Sequence, residues 1–86
     1  MPEISRFFGI VVRMHFEDHM PPHFHALYGE HEVEIAIDGP RVLAGSLPPR
    51  ALGLAMEWAT LHPDELMVDW QLASTRQPLD RIDPLV

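Results

Sequence analysis

Hydrophobic and polar positions alternate along the first half of the chain and recur at three- and four-residue steps along the second. Between Phe7 and Phe16, one side collects Phe8, Ile10, Val12, Met14 and Phe16, and the other Phe7, Gly9, Val11, Arg13 and His15. That period of two predicts one long, half-buried strand, in which Gly9 marks a bulge or a close backbone approach. Glu17 to Pro22 reads as a loop, because Pro21 and Pro22 have no N–H to give to a sheet. His23 to Tyr28 is a second strand, with Phe24, Ala26 and Tyr28 on one face and His23, His25 and Leu27 on the other. After a turn at Gly29-Glu30, Val33, Ile35 and Ile37 alternate with Glu32, Glu34 and Asp38. Asp38-Gly39 is a hairpin signal, although Pro40 argues against the simplest two-residue turn. A short strand follows from Arg41 to Gly45.

The period then becomes helical. Pro48 and Pro49 stand where a first helical turn accepts proline, and Ala51, Leu54, Ala55, Trp58, Ala59 and Leu61 form an apolar stripe. Pro63 ends it and opens a second helix, with Asp64 and Glu65 in its electropositive first turn and Leu66, Met67, Trp70 and Ala73 on its apolar side. In the tail, Leu79, Ile82 and Leu85 suggest docking onto the core. The expected fold is one α+β domain over residues 1–86. It comprises a three- to four-stranded antiparallel meander (about 7–16, 23–29, 32–38 and 41–45) and two helices (about 49–62 and 63–76) packed on one face.

Composition restricts what such a domain can be. No cysteine is present, so disulfides, Cys-based zinc sites and thiol chemistry are excluded. A net charge of −7, with six arginines and no lysine, disfavours nucleic acid and anionic membrane surfaces. No apolar run approaches the ~20 residues of a membrane span, and Met1-Pro2-Glu3 does not open a signal peptide. A cytoplasmic location is expected.

The chemistry concentrates in histidine. Five of the six histidines fall between positions 15 and 31. His23 and His25, two apart on a strand, project to the same side, and His19 can fold back across the Pro21-Pro22 loop as a third ligand. Glu17, Asp18 or Glu34 can add oxygen. Such a set suits Zn²⁺ or another divalent transition ion. Arg13, beside His15 on the polar side of the first strand, can hold an anion. The plainer alternative is that His23 and His25 only hydrogen-bond within the sheet.

Ile4 to Ile10, Pro21-Pro22-His23-Phe24-His25-Ala26, the Leu47-Pro48-x-Arg50-Ala51-Leu52 helix entry, Glu57-Trp58 and Gln77-Pro78-Leu79-x-Arg81-Ile82-x-Pro84-Leu85 together resemble a small bacterial family, the domain of unknown function DUF4160. The resemblance spans nearly the whole chain and picks out His23 and His25, while His15, His31 and His62 lie outside its blocks. It implies a short bacterial protein often encoded beside a second small protein, in a toxin–antitoxin-like arrangement. The leading expectation is therefore a non-enzymatic protein-interaction module, acting on that second protein or as a homo-oligomer. The alternative is a metal-binding protein or metal-dependent hydrolase or nuclease, with His19, His23 and His25 on the ion and a metal-bound water as nucleophile.

Overall fold

The computed structural model describes residues 2–86. Five antiparallel strands follow one another in a single sheet, in the order β1 (Glu3–Phe7), β2 (Ile10–Arg13), β3 (His23–Tyr28), β4 (His31–Ala36) and β5 (Arg41–Ser46). Two helices follow, α1 (Pro49–Leu61) and α2 (Pro63–Ser74). The α+β class and the helix positions match the expectation; the strand count is five rather than three or four.

The difference lies at Phe8-Gly9. The expected long strand over residues 7–16 folds back on itself, pairing Phe7 with Ile10 and Arg6 with Val11. Phe8 and Gly9 both have positive φ, 49° and 80°, as a type I′ hairpin turn requires. Glycine meets that requirement without cost, whereas phenylalanine is rare there. Phe8 therefore stands out into solvent at 59% exposure, although its place in the alternation had put it with Ile10, Val12 and Met14. Those three are fully buried, so the alternation holds from Ile10 to Met14; the strand itself ends at Arg13, short of the expected Phe16, which is exposed.

The β3–β4 turn at Gly29-Glu30 sets a register in which His25 faces Glu34 and Ala26 faces Val33. The β4–β5 connection is a four-residue loop, Ile37 to Pro40, rather than a tight Asp38-Gly39 turn. Gly45 has φ +74°, and a Cβ there would collide with the Glu32 carbonyl.

Phe24, Ala26, Val33 and Ile35 form a buried cluster with Ala51, Ala55 and Trp58 of α1 and Leu66, Trp70 and Ala73 of α2. Burying a large apolar side chain contributes about 1.5–3 kcal/mol, so this layer is the main source of stability. The tail docks as its apolar residues suggested. Ile82 donates its N–H to the Ile4 carbonyl (2.8 Å), and Trp58 Nε1 donates to the Asp83 carbonyl (2.8 Å). Leu61, counted in the α1 stripe, is instead 61% exposed. The helices take one face of the sheet. His25, Arg13 and Glu34 belong to the other by strand alternation; His23, at the start of β3, reaches the edge of the helical layer, its ring centroid 5.4 Å from that of Trp70 in α2.

Candidate metal centre

β3 starts at His23, directly after the two prolines. Alternation against the buried Phe24 and Ala26 sends the His23 and His25 side chains to the same side, where they are 0% and 6% exposed. The β2–β3 loop folds over them. It is tied down by the Glu17 N–H, which donates to the Ala73 carbonyl (3.1 Å), and by an Arg76–Glu17 ion pair (2.6 Å).

Asp18 is thereby placed at the centre of four imidazoles. Its Oδ2 lies 3.0 Å from His23 Nε2, 3.2 Å from His25 Nε2 and 3.7 Å from His15 Nδ1. Its Oδ1 accepts the His19 N–H (2.8 Å) and lies 3.8 Å from His19 Nε2. From β4, Glu34 Oε1 reaches to 3.5 Å from His23 Nε2, and Glu32 Oε2 meets His25 Nδ1 at 3.0 Å.

The partners of the Nδ1 atoms fix both tautomers. His23 Nδ1 lies 2.8 Å from the Pro21 carbonyl and His25 Nδ1 3.0 Å from the Glu32 carboxylate. Carbonyl and carboxylate oxygens only accept, so both Nδ1 atoms carry hydrogen. In a neutral ring the Nε2 atom is then a lone pair. In these neutral tautomers both lone pairs would face the Asp18 carboxylate, acceptor against acceptor; the 3.2 Å contact from His25 Nε2 is a hydrogen bond when that ring carries a proton on both nitrogens. His23 Nε2 is fully buried and has a short approach to Asp18 but no hydrogen bond. A proton or a metal cation between these atoms would reconcile them. Around a tetrahedral zinc with bonds of about 2.0–2.1 Å, ligand atoms sit about 3.3–3.4 Å apart. The three Nε2–oxygen separations of 3.0, 3.2 and 3.5 Å bracket that spacing. The Nδ1–H contacts to Pro21 and Glu32 are the supports that orient metal-bound histidines.

Ring orientations sort the histidines. The His23 and His25 rings are inclined by 62°, so their lone pairs can converge. His15 stacks on His25 and His19 on His23, as outer layers. Burial acts to raise the Asp18 pKa. The His19 N–H, the bond from His25 and the neighbouring imidazoles outweigh it and hold the carboxyl below its usual range. Burial lowers the His15 pKa, and the adjoining His25 adds to this while Asp18 and Glu32 oppose it.

The structure thus brings His19, His23, His25 and Asp18 together, with His19 at the rim and 72% exposed. His15 joins them from outside the family blocks. Glu17 stands apart on Arg76. Arg13 lies directly across from His25 on β2. His31 is exposed, and His62 is engaged by Glu65 at 2.6 Å. Glu32 and the Pro21 carbonyl were not among the expected site residues. The two-residue turn at Gly29-Glu30 was the signal for Glu32 and Glu34, because it counts His25 directly opposite Glu34.

Fold and site together define a small α+β domain with a histidine–carboxylate cluster where the β2–β3 loop closes over β3 beside Trp70 of α2. Residues 9–71, which include every member of that cluster, match the family described as Domain of unknown function (DUF4160), and the chain belongs to it. No curated protein and no solved structure matches the chain. Among the described residues no helix is long and apolar enough to cross a membrane.

Proposed function

We propose that this domain binds a divalent transition-metal ion through His23 Nε2, His25 Nε2 and the Asp18 carboxylate, with Glu34 as the fourth donor. The observation that carries this reading is the buried, unbonded His23 Nε2, whose ring is fixed with its lone pair toward Asp18 and Glu34. Two imidazoles and two carboxylates favour Zn²⁺, Co²⁺, Ni²⁺ or Cu²⁺ over Mg²⁺ or Ca²⁺. Glu34 is the least buried of the four donors, 29% exposed. Water exchanging with it would open the coordination position that a hydrolytic centre needs.

Metal analysis and calorimetry on untagged protein test the reading. One equivalent of ion is expected, with at least about a hundredfold loss of affinity in His23→Ala and His25→Ala. Wild-type protein that takes up no zinc, cobalt or nickel at millimolar concentration would overturn it.

A protein-interaction role is supported by a separate place. Phe8 and Tyr28 are 59% and 39% exposed and line a cavity of about 200 Å³ with Pro48, Arg50, Ala51 and Leu54. Exposed aromatics of this kind are common partner anchors. A Phe8→Ala, Tyr28→Ala variant that still binds metal but loses association with a co-purifying partner would separate the two roles.

A further inference from the structure

Arg13 sits one strand away from the proposed ion. Its Cα is paired with that of His25 across β2–β3, and directly opposed residues project to the same face with Cβ atoms about 4.5–5.5 Å apart. Arg6 and Arg81 are both taken up by Glu3, and Arg76 by Glu17. Glu3 also lies opposite Arg13 in the register, so the acid best placed to neutralise Arg13 is already committed elsewhere. Among the described residues Arg13 makes no ion pair and no side-chain hydrogen bond. It is only partly exposed, held on the face that carries His25 and Glu34.

From this juxtaposition we infer that the metal centre binds a small oxyanion, one oxygen on the ion and the others on the Arg13 guanidinium. This rests on the metal reading and goes beyond it by assigning the exogenous ligand. A guanidinium offers a planar fork of donors that matches carboxylate or phosphate. A metal ion accepts an oxygen at an exchangeable position. The partly exposed Glu34 provides that position, because it is the donor nearest solvent.

Charge makes the site conditional. Asp18, Glu32 and Glu34 outweigh Arg13, so an approaching anion is repelled. A divalent ion brings the group to neutrality, and only then does the anion find two positive partners on one face of the sheet. Anion binding is therefore metal-dependent, and a singly charged carboxylate, which leaves the site with one excess negative charge, is favoured over a phosphate dianion, which leaves two.

Cobalt separates this inference from the one beneath it. Co²⁺ is first titrated into the protein, and its visible d–d absorption reports occupancy of the centre. Acetate and inorganic phosphate are then added in separate arms. Acetate is expected to shift the cobalt spectrum saturably and more tightly than phosphate. Arg13→Gln should weaken acetate by at least about tenfold with cobalt affinity unchanged, and Arg13→Lys should recover part of the loss. Tighter phosphate than acetate would overturn the charge preference. Equal acetate affinity in Arg13→Gln, or no spectral response in protein that holds stoichiometric cobalt, would overturn the oxyanion site and leave the metal centre standing. Failure to bind cobalt would remove both.

Discussion

The His15 and His25 rings are stacked, with centroids 3.8 Å apart and planes within 5°. A ring-nitrogen lone pair lies in the plane of its ring, so two parallel rings direct their lone pairs within parallel planes that do not meet. They cannot both point at one ion. On the proposed metal reading His15 is accordingly a cover on His25, and the ion would belong to the inclined pair His23 and His25.

This relationship yields a discriminating mutation. His15→Phe keeps an aromatic layer on His25 and removes both ring nitrogens. Its metal affinity should stay within about tenfold of wild type, the lower end of what outer-layer changes cost. His25→Phe, which also keeps an aromatic ring, should abolish binding. Calorimetric titration with Zn²⁺ checks both; a loss in His15→Phe as large as in His25→Phe would make His15 a ligand.

Metal should also stabilise the fold in a pH-dependent way. An ion that binds only the native state adds about 2.7 kcal/mol at 100 times its Kd. For a domain of this size that is a Tm increase of about 10–20 °C. Protons compete for imidazole and carboxylate ligands, so the increase should shrink as pH is lowered from 7.5 to 5.5. Thermal melts with zinc and with a chelator at each pH measure it. The chelated protein supplies the baseline, and a zinc effect indifferent to pH would contradict ligation by these groups.

Trp58 is the keystone of the helix–sheet layer. It is fully buried, with ring centroids 5.5 Å from Phe7 and 5.7 Å from Phe24, and it donates to the Asp83 carbonyl of the tail. Trp58→Ala should cost about 3–5 kcal/mol, against an expected total of about 4–13 kcal/mol for a chain of this length. Trp58→Phe should cost less while still losing the tail hydrogen bond. Urea unfolding followed by circular dichroism orders the three proteins.

Asp69 predicts an opposite kind of mutant. It is fully buried in α2; Oδ1 accepts the Asp80 N–H (2.9 Å), and Oδ2 has no partner. Burial raises its pKa and the nearby Asp80 and Glu65 add to the rise, while the Asp80 N–H opposes it. A raised carboxyl pKa means that the folded state holds the proton more tightly than the unfolded one. Asp69 therefore costs stability as pH climbs from its ordinary value through the raised one. Asp69→Asn should melt higher than wild type at pH 7, and the gap should close as pH falls toward 4. A lower Tm for Asp69→Asn at pH 7 would show that the carboxylate is needed.

The Phe8-Gly9 turn shows where local pattern misleads. Phenylalanine favours strands, and its position fits the Ile10–Met14 alternation, so propensity and period agreed on a continuous strand. The hairpin forms because folding back lets Ile4 and Phe7 join the same core as Ile10 and Val12, which outweighs one strained, exposed residue. Asp69 shows the converse: on a helix an acid reads as solvated, and only the docked tail makes it buried.

The sequence by itself determined the periods: β2 through β5, both proline-opened helices, the docked tail and the projection of His23 and His25 to one side. Those follow from alternation, ring constraints and apolar spacing, which act within a few residues. The tertiary structure alone decided that Asp18 rather than Glu17 turns inward, that Glu32 and Glu34 arrive from the next strand, that His15 stacks on His25, and that Arg13 is left without an acid. Each of these depends on register and loop closure, where a shift of one residue moves a side chain to the opposite face.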